Sequence, residues 1–342
     1  MNRLATQQPA ATDLAANVRA RLERFANAAS PLFSIVVPMF NRGDTIERCL
    51  DSIGIQDFAS YEVVIVDDAS VDDSKARCTR FLSSDPRFKL IECDVNRGVS
   101  PARNLGVDRA VAPWVVFLDS DDELLPGALA RMAEAVERAP ETLHALWFRC
   151  RLDDGDTTPP VVPRMTEWGY EGYLQFLEQT AHQARDMIRC VRRECFEVVR
   201  YPDSRMQMTK YHLDFALRFR SRMFPDVLRL YHQDAGERLV TNVRALDRPG
   251  RDAELLSNRK KVFLQDSADG FDALMHEHGE ALRVWAPTMH LDYLRRAAVT
   301  AIGARRGRSA RRHAFKLLQM RPASAGAWRI AVASLLVREQ AG

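Results

Sequence analysis

The chain has 342 residues, and its 49 basic and 46 acidic residues give a formal charge of +3. With 46% hydrophobic and 28% charged residues it has the composition of a folded globular protein, and the balanced charge excludes a strong nucleic-acid-binding field. Six cysteines without a C-x-x-C pair argue against a zinc site or a disulfide framework and favour a reducing compartment. No stretch has the length of a signal-peptide core or of a membrane span of about 20 apolar residues, so we expect a cytoplasmic protein without a nucleic-acid partner.

Strands and helices alternate through the first part of the chain. Residues 1–30 are Ala-rich with apolar residues at helical spacing, which predicts a short amphipathic helix. The predicted strands lie at 33–38, 62–66, 88–93 and 115–118. The predicted helices lie at 45–53, 73–83, 101–110 and 126–138. This alternation predicts an α/β fold whose mainly parallel central sheet is flanked by helices.

Acidic residues directly follow the fourth predicted strand. The apolar run 115–118 leads into Asp119, Asp121 and Asp122. Ligands of open α/β sheets bind at the carboxyl edge of the strands, and two carboxylates one residue apart repel each other unless a cation lies between them. Asp119 and Asp121 therefore suit a hard divalent cation, Mg²⁺ or Mn²⁺. The alternative is that these acids complement the N-terminus of the next helix, and Asp122 is the residue that we expect to cap it.

Polar residues also follow the second and third strands. A carboxylate at Asp68 can accept a hydrogen bond from a ring N–H of a nucleotide base, or it can form an Asx turn. Arg103 lies in the first turns of the helix 101–110, where it can pair with a diphosphate or form a surface salt bridge. The chain contains neither G-x-G-x-x-G nor a P-loop sequence, which excludes those two phosphate-binding motifs.

Four segments, in their order and spacing, resemble the family 2 inverting nucleotide-sugar glycosyltransferases with the GT-A fold. They are SIVVPMFN at 34–41, VDDAS at 66–70, NRG and ARNLG between 96 and 106, and LDSDD at 118–122. The resemblance is closest over 33–138 and extends to about residue 239. It implies the GT-A fold, a nucleoside-diphosphate sugar as donor, and Mn²⁺ or Mg²⁺ as cofactor.

The resemblance also implies roles for individual residues. Contacts with the nucleotide donor fall on Pro38, Phe40, Asn41, Asp68, Arg103, Asp119 and His232. Asp68 is implied to bond the uracil or guanine ring, and Asp121, assisted by Asp119, is implied to ligate the metal. His232 would donate to the diphosphate or ligate the metal, although a His at a strand end also has a structural interpretation. Arg238 is a further phosphate candidate.

A catalytic base is implied at Asp214. The segment 211–219 has apolar residues at helical spacing, and relatives carry a carboxylate, usually in a Glu-Asp pair, at the start of this helix. Asp214 matches the Asp, and Leu213 replaces the Glu. An inverting transfer needs such a base to remove the proton of the acceptor hydroxyl as its oxygen attacks the anomeric carbon. The alternative is a first-turn Asp that complements the helix dipole.

The remaining sequence predicts three regions: 1–30, a glycosyltransferase domain at 31–240, and a helical C-terminal region at 241–342. Aromatic residues at 168–177 predict either an acceptor site or core packing. Helices are expected at 254–267, 272–284, 290–304, 310–320 and 327–338. The basic run 305–312 either contacts an anionic membrane surface or a lipid-linked phosphate, or forms a solvated helix face.

The expected function is the metal-dependent transfer of a sugar, with inversion, to a hydroxyl acceptor in cell-surface glycan synthesis. The first expected donor is a UDP-sugar. The acceptor would be a glycan or a lipid-linked molecule, with peripheral contact at the inner membrane face. One alternative is a degenerate nucleotide- or glycan-binding subunit of an envelope assembly complex, because Leu213 replaces the usual Glu. Another is a sugar nucleotidyltransferase, which would want a Gly-rich loop that 38–44 does not supply.

Overall fold

The computed structural model describes residues 30–160, 166–180, 187–203, 208–233 and 253–337. Its strands are β1 (Phe33–Met39), β2 (Tyr61–Asp67), β3 (Phe88–Glu92), β4 (Trp114–Phe117), β5 (Glu123–Leu124), β6 (Ala145–Leu152), β7 (Thr157–Thr158), β8 (Glu167–Trp168), β9 (Ile188–Arg192) and β10 (Ser221–Tyr231). They form one sheet in the order β3-β2-β1-β4-β9-β6-β10-β5, with β7 beside β6 and β8 beside β10.

Helices cover this sheet and continue beyond it. The helices of the sheet domain are α1 (Ile46–Gly54), α2 (Ser74–Ser84), α3 (Val99–Arg109), α4 (Ala128–Arg138), α5 (Tyr170–Gln179) and α6 (Met208–Arg218), with a 3₁₀ turn at Arg193–Glu197. The C-terminal helices are α7 (Ala253–Glu277), α8 (Gly279–Trp285), α9 (Pro287–Gly303), α10 (Gly307–Met320) and α11 (Ala325–Leu335). The predicted α/β architecture with a helical C-terminal appendage is confirmed.

The parallel strands β2, β1 and β4 end at a common edge. In β1 all seven residues are buried, and the strand pairs with β2 from Phe33 to Met39 and with β4 from Phe33 to Val36. Such apolar runs form strands that are buried on both faces. Pro38 lies beyond the last register pair with β4, so its missing N–H costs no hydrogen bond there. The turns after these strands therefore gather at one side of the sheet.

Strand β9 was not predicted. It is antiparallel to both β4 and β6 and inserts between them. Its five residues include two arginines, so it lacks a continuous apolar run. Both arginines are accommodated by aromatic rings: the guanidinium carbon of Arg189 lies 5.0 Å from the Trp147 ring centroid, and that of Arg192 lies 4.7 Å from the Trp114 centroid.

Side chains of β1 alternate between two apolar cores. Ile35 and Val37 belong to the core under α1 and α4, whereas Val36 points into the opposite core. That second core also contains Leu274, Leu282 and Tyr293 of the C-terminal helices. The helical region thus shares its apolar packing with the sheet domain.

The structure confirms some of the other predictions made from the sequence and contradicts others. The aromatic residues of 168–177 are mostly core, since Trp168, Tyr173 and Phe176 are buried in the second cluster. The two helices expected at 254–267 and 272–284 are wrong in their break point, because α7 is continuous through Gly270 and ends at Glu277. The predicted N-terminal helix up to residue 29, the domain boundary near 240, and Arg238 lie outside the described residues.

Gly106 allows α3 to pack closely on β1. A Cβ at this position would lie 2.3 Å from Cγ1 of Val36, a buried β-branched residue that cannot move aside. We expect Gly106→Ala to lower the free energy of unfolding by about 1–3 kcal/mol, as overpacked cores do. Urea denaturation measures this loss. Gly54→Ala is the matched control because nothing lies within 4 Å of its added methyl group, and it should be neutral or slightly stabilising.

Candidate active site

The turns after β1 and β2 are fastened to each other. Asn41 and Ala69 both have positive φ angles, 50° and 63°, which non-glycine residues seldom adopt. The Asn41 backbone N–H donates to Ser70 Oγ at 2.9 Å, and the Val71 N–H donates to Asn41 Oδ1 at 2.9 Å. Strained backbone held by its surroundings in this way is common at functional sites. Phe40, which precedes Asn41, remains exposed beside this turn.

The carboxylate of Asp68 organises a third turn. It is buried, and its Oδ1 and Oδ2 accept hydrogen bonds from the backbone N–H groups of Arg97 (2.9 Å) and Gly98 (2.7 Å). These amides lead directly into α3, where Gly98 has a φ of 103°. Asp68 therefore holds the start of α3 against the end of β2, and its predicted contact with a nucleotide base stays a prediction.

Helix α1 holds the backbone of the acidic loop that follows β4. The hydroxyl of Thr45 donates to the carbonyl of Ser120 at 3.0 Å, and Nη2 of Arg48 donates to the carbonyl of Asp121 at 2.8 Å. The thiol of Cys49 approaches the carbonyl of Asp119 at 3.6 Å. Three successive carbonyls are thus satisfied by one face of α1, which fixes the direction in which the Asp119 and Asp121 side chains project.

Each acid of the D-x-D pair faces an arginine from another element. Nη2 of Arg103, on α3, donates to Asp119 Oδ1 at 2.5 Å, and Nε of Arg42, after β1, lies 3.8 Å from Asp121 Oδ2. The side chains of Asp119 and Asp121 are 27% and 20% exposed. Two partly exposed carboxylates suit Mg²⁺ or Mn²⁺, which commonly bind proteins through one or two carboxylates and take further ligands from phosphate and water.

Asp122 has a different role from the one expected. Helix α4 begins at Ala128, and the buried Asp122 carboxylate instead accepts a hydrogen bond from the His232 backbone N–H at 3.0 Å. Arg229 Nε lies 3.4 Å from its Oδ2. The prediction that Asp122 caps the next helix is wrong, because the residue anchors the end of β10. Burial raises the pKa of the Asp122 carboxyl above its usual range, although the Arg229 guanidinium acts to lower it.

His232 lies between two carboxylates. Its Nε2 is 2.7 Å from Glu123 Oε1, and its Nδ1 is 2.7 Å from Asp153 Oδ1. Ionised carboxylates only accept hydrogen bonds, so a His232 ring nitrogen that carries a hydrogen is positioned to donate to the carboxylate that it faces. Burial acts to raise the pKa of Asp153, but hydrogen bonds from Gln233 N–H and from His232 lower it. The imidazole thereby joins the acidic loop to the end of β6, next to the predicted phosphate site.

Asp214 lies in a charged cluster where the sheet domain meets the C-terminal helices. Its Oδ2 is 2.7 Å from Lys210 Nζ, and its Oδ1 is 2.9 Å from Nε2 of the buried His278. Lys210 also contacts Glu277 at 2.6 Å, and the other nitrogen of His278 lies 2.6 Å from the hydroxyl of Tyr170. Burial acts to raise the pKa of Asp214, but the hydrogen bonds from His278 and Lys210 lower it.

The position of Asp214 along α6 differs from the expectation. The helix begins at Met208, so Asp214 is its seventh residue and belongs neither to the helix start nor to the first turn. The helix ends at Arg218, shortly before β10 begins at the amino edge of the parallel strands. The premise of a first-turn carboxylate is therefore wrong, and the base role of Asp214 stays a prediction.

Ligand atoms of Asp214, Glu277 and His278 lie within 4.8 Å of one another, a spacing that would allow a metal ion. The ammonium of Lys210 already contacts both carboxylates of this group. A cation is thus supplied by the chain itself, and we interpret the cluster as a charge network that joins α6 to α7 and α8.

Comparison with known proteins identifies the domain that carries the acidic loop. Residues 34–200 match the model of glycosyl transferase family 2. These residues form a family 2 glycosyltransferase domain. The fold is GT-A. The chain superposes on S. aureus TarS 1–349 in complex with UDP-GlcNAc, with a TM-score of 0.51 at 16% identity, and the superposition covers 89% of each chain.

Named relatives of the glycosyltransferase domain come from several bacteria. The succinoglycan biosynthesis protein ExoO of Rhizobium meliloti is 41% identical over 109 residues, which are 32% of this chain and 31% of that protein. A GalNAc(5)-diNAcBac-PP-undecaprenol beta-1,3-glucosyltransferase of Campylobacter jejuni is 38% identical over 124 residues, 36% of this chain and 39% of that protein. The matched stretch thus spans less than half of each of these relatives.

Some residues around the acidic loop of the glycosyltransferase domain were not predicted. Thr45, Arg48 and Cys49 follow helical spacing i, i+3, i+4, so the sequence could have placed them on one face of α1. Their contact with the loop could not be predicted, because it joins residues about 70 positions apart. Arg42 and Asp153 carry no motif of their own, and only the fold brings them to Asp121 and His232.

Proposed function

We propose that this protein transfers one sugar, with inversion, from a nucleoside-diphosphate sugar to a hydroxyl group. The observation that carries the proposal is the loop after β4, where Asp119 and Asp121 remain partly exposed while α1 holds their backbone carbonyls. A diphosphate needs positive charge close by, and Arg42 and Arg103 lie beside the two acids. A UDP-sugar is the first donor to test.

Asp121 and Asp119 would hold Mn²⁺ or Mg²⁺ in this proposal. The partly exposed carboxylates supply the hard oxygen ligands that these ions prefer. A bound ion would neutralise charge on the departing nucleoside diphosphate. Arg103 orients Asp119 through its hydrogen bond, and Asp68 keeps the turn that opens α3 in place beneath the proposed nucleotide. Pro38, Phe40 and Asn41 would contact the nucleotide from the turn after β1.

The acceptor hydroxyl must lose its proton as it attacks the anomeric carbon, and Asp214 is the proposed base. His278 and Lys210 keep this carboxylate ionised, which is the form that a base requires. His232 is the proposed donor to the diphosphate, and it would have to leave Glu123 or Asp153 to donate, because both of its ring nitrogens face these carboxylates. We further propose a glycan or lipid-linked acceptor in the cytoplasm, since the relatives are named for succinoglycan synthesis and for an undecaprenol-linked substrate.

One observation favours a second candidate, a degenerate nucleotide- or glycan-binding subunit. Both oxygens of Asp214 are already engaged by His278 and Lys210, and a base must release one of them to accept a proton. Such a protein would bind nucleotide without turning over a sugar donor. The two candidates therefore differ in turnover and agree in nucleotide binding.

A thermal-shift screen of nucleoside diphosphates and nucleotide sugars, with and without Mn²⁺ or Mg²⁺, tests the proposed donor site. We expect UDP or a UDP-sugar to raise the melting temperature in the presence of metal, because a ligand at about 100 times its Kd stabilises the folded state by ~2.7 kcal/mol. Failure of every nucleotide to shift a folded sample would contradict the donor site. A nucleotide shift without sugar transfer to any hydroxyl acceptor would favour the degenerate subunit.

A further inference from the structure

Positive charge is concentrated near the end of the described chain. Residues 293–337 contain ten Arg and Lys residues and no Asp or Glu, although the whole chain carries a formal charge of only +3. This stretch comprises most of α9 together with α10 and α11. Such asymmetry within one chain indicates a partner surface of negative charge.

The last helix of this region exposes an apolar face. Four large apolar residues are between 53% and 78% exposed and follow the spacing i, i+4, i+7, i+8: Trp328, Val332 and Leu335 of α11, and Leu336 directly after it. The opposite face of the helix is the one that packs, through Ala327, Ala331 and Ser334. Four large apolar side chains on one exposed helix face are more than scattered surface residues, and they indicate an interaction site.

Exposed basic residues accompany this face. The outward side of the neighbouring α10 carries Arg312 and Lys316 with the exposed Phe315. Arg321 is exposed directly after α10, and Arg329 is exposed within α11. Arg312 pairs with Asp272. Within the described ranges, Lys316, Arg321 and Arg329 form no ion pair.

We infer that α10 and α11 form a docking surface for an anionic lipid bilayer. An apolar helix face with Trp at its border inserts at the level of the headgroups, and Arg and Lys beside it contact lipid phosphates. In the described part of the chain, no helix combines the length and the apolar character needed to span a bilayer. The inferred contact is therefore peripheral, with α11 lying along the membrane surface.

The charge of this region also favours a membrane over a second copy of the chain as the partner that covers the apolar face. A second copy of the chain would bring its own Lys316, Arg321 and Arg329 to the same face, and the two sets of positive charges would repel each other. An anionic membrane instead attracts each Arg and Lys near its surface. This inference does not depend on the proposed sugar-transfer chemistry, because it uses neither the acidic loop nor Asp214.

Vesicle flotation with the full chain tests the inference. We expect binding to vesicles that contain phosphatidylglycerol and little binding to pure phosphatidylcholine vesicles. The double variant Trp328→Ser/Leu335→Ser and the triple variant Lys316→Gln/Arg321→Gln/Arg329→Gln should each lower the partition coefficient for anionic vesicles by roughly tenfold or more. Matched controls on the sheet domain, Ile55→Ser for an exposed apolar residue and Arg109→Gln/Arg138→Gln for exposed charges, should bind like the wild type.

Light scattering and thermal unfolding of the same proteins complete the test. The inference would be overturned if the folded wild type did not bind anionic vesicles, or if the variants bound them as well as the wild type does. A dimer in solution that the Trp328→Ser/Leu335→Ser variant dissociates would also overturn it, because the face would then be a contact between copies. A large drop in the melting temperature of that variant would show that the chain itself covers the face. Unchanged mass and melting temperature with lost vesicle binding would support the membrane surface.

Discussion

Replacing Asp121 with Asn should reduce sugar transfer by roughly 10²–10³-fold or more while the protein stays folded. The substitution keeps the size of the side chain and removes its negative charge, which the proposed Mn²⁺ or Mg²⁺ requires. Stability should change little, because the side chain is 20% exposed and its ion pair with Arg42 is long, at 3.8 Å. Initial rates of transfer from a UDP-sugar, measured at increasing Mn²⁺ concentration, give the loss and show whether added metal restores activity.

Two further variants make the Asp121 result specific. Asp57→Asn, at an exposed site after α1 that lies outside the acidic loop, should keep wild-type activity and metal response. Asp119→Asn should also lower transfer, and it should weaken the hydrogen bond from Arg103, because a neutral amide oxygen replaces the charged acceptor. Wild-type turnover by Asp121→Asn at low metal concentration would remove the metal from the proposed function and leave Arg42 and Arg103 as the charges that face the diphosphate.

The sheet was predictable because its central strands have local signatures. Strands β1, β2 and β4 are apolar runs, and polar residues, among them Asn41, Asp68 and Asp119, follow their ends. Parallel pairing brings those ends to one edge of the sheet. Strand β9 was missed because Arg189 and Arg192 interrupt its apolar pattern. The aromatic rings and the hydrogen-bond acceptors that accommodate these two side chains are brought near only by the fold. A local sequence pattern therefore predicts a strand well only where the strand's own residues are apolar enough to be buried.

The residues of the acidic loop also differ in how far the sequence alone could predict their contacts. Asp119 and Asp121 could be singled out from their position after a buried strand, and the family resemblance favoured a metal over a helix cap. The contacts of Asp122 could not be predicted, because its hydrogen-bond donor lies 110 residues later at His232. The start of α6 was misplaced because the apolar periodicity of the sequence is clear around Leu213 and does not mark the beginning of the helix at Met208. The engagement of Asp214 by His278 was equally inaccessible, since 64 residues separate them.

Replacing Asp214 with Asn is expected to lower kcat by about 10²–10⁴-fold and to leave nucleotide binding unchanged, if the carboxylate is the base. The matched control is Lys210→Met, which removes the same ion pair and keeps the carboxylate. Because the hydrogen bond and charge of Lys210 lower the pKa of Asp214, their removal should raise it. A base works only when deprotonated, so the acid limb of the pH–rate profile of Lys210→Met should move to higher pH, with activity retained above it.

A network role for Asp214 makes a different set of predictions. Asp214→Asn, Lys210→Met and Glu277→Gln would then all lower the melting temperature, because each breaks the cluster that joins α6 to α7 and α8. Their activities would fall together, or not at all, and the pH–rate profile of Lys210→Met would keep its acid limb. Buried His278 strengthens this alternative, since Asp214→Asn replaces its charged partner with a neutral amide, which forms a weaker hydrogen bond. Loss of kcat confined to Asp214→Asn, with unchanged nucleotide affinity, would instead require the carboxylate in the reaction itself.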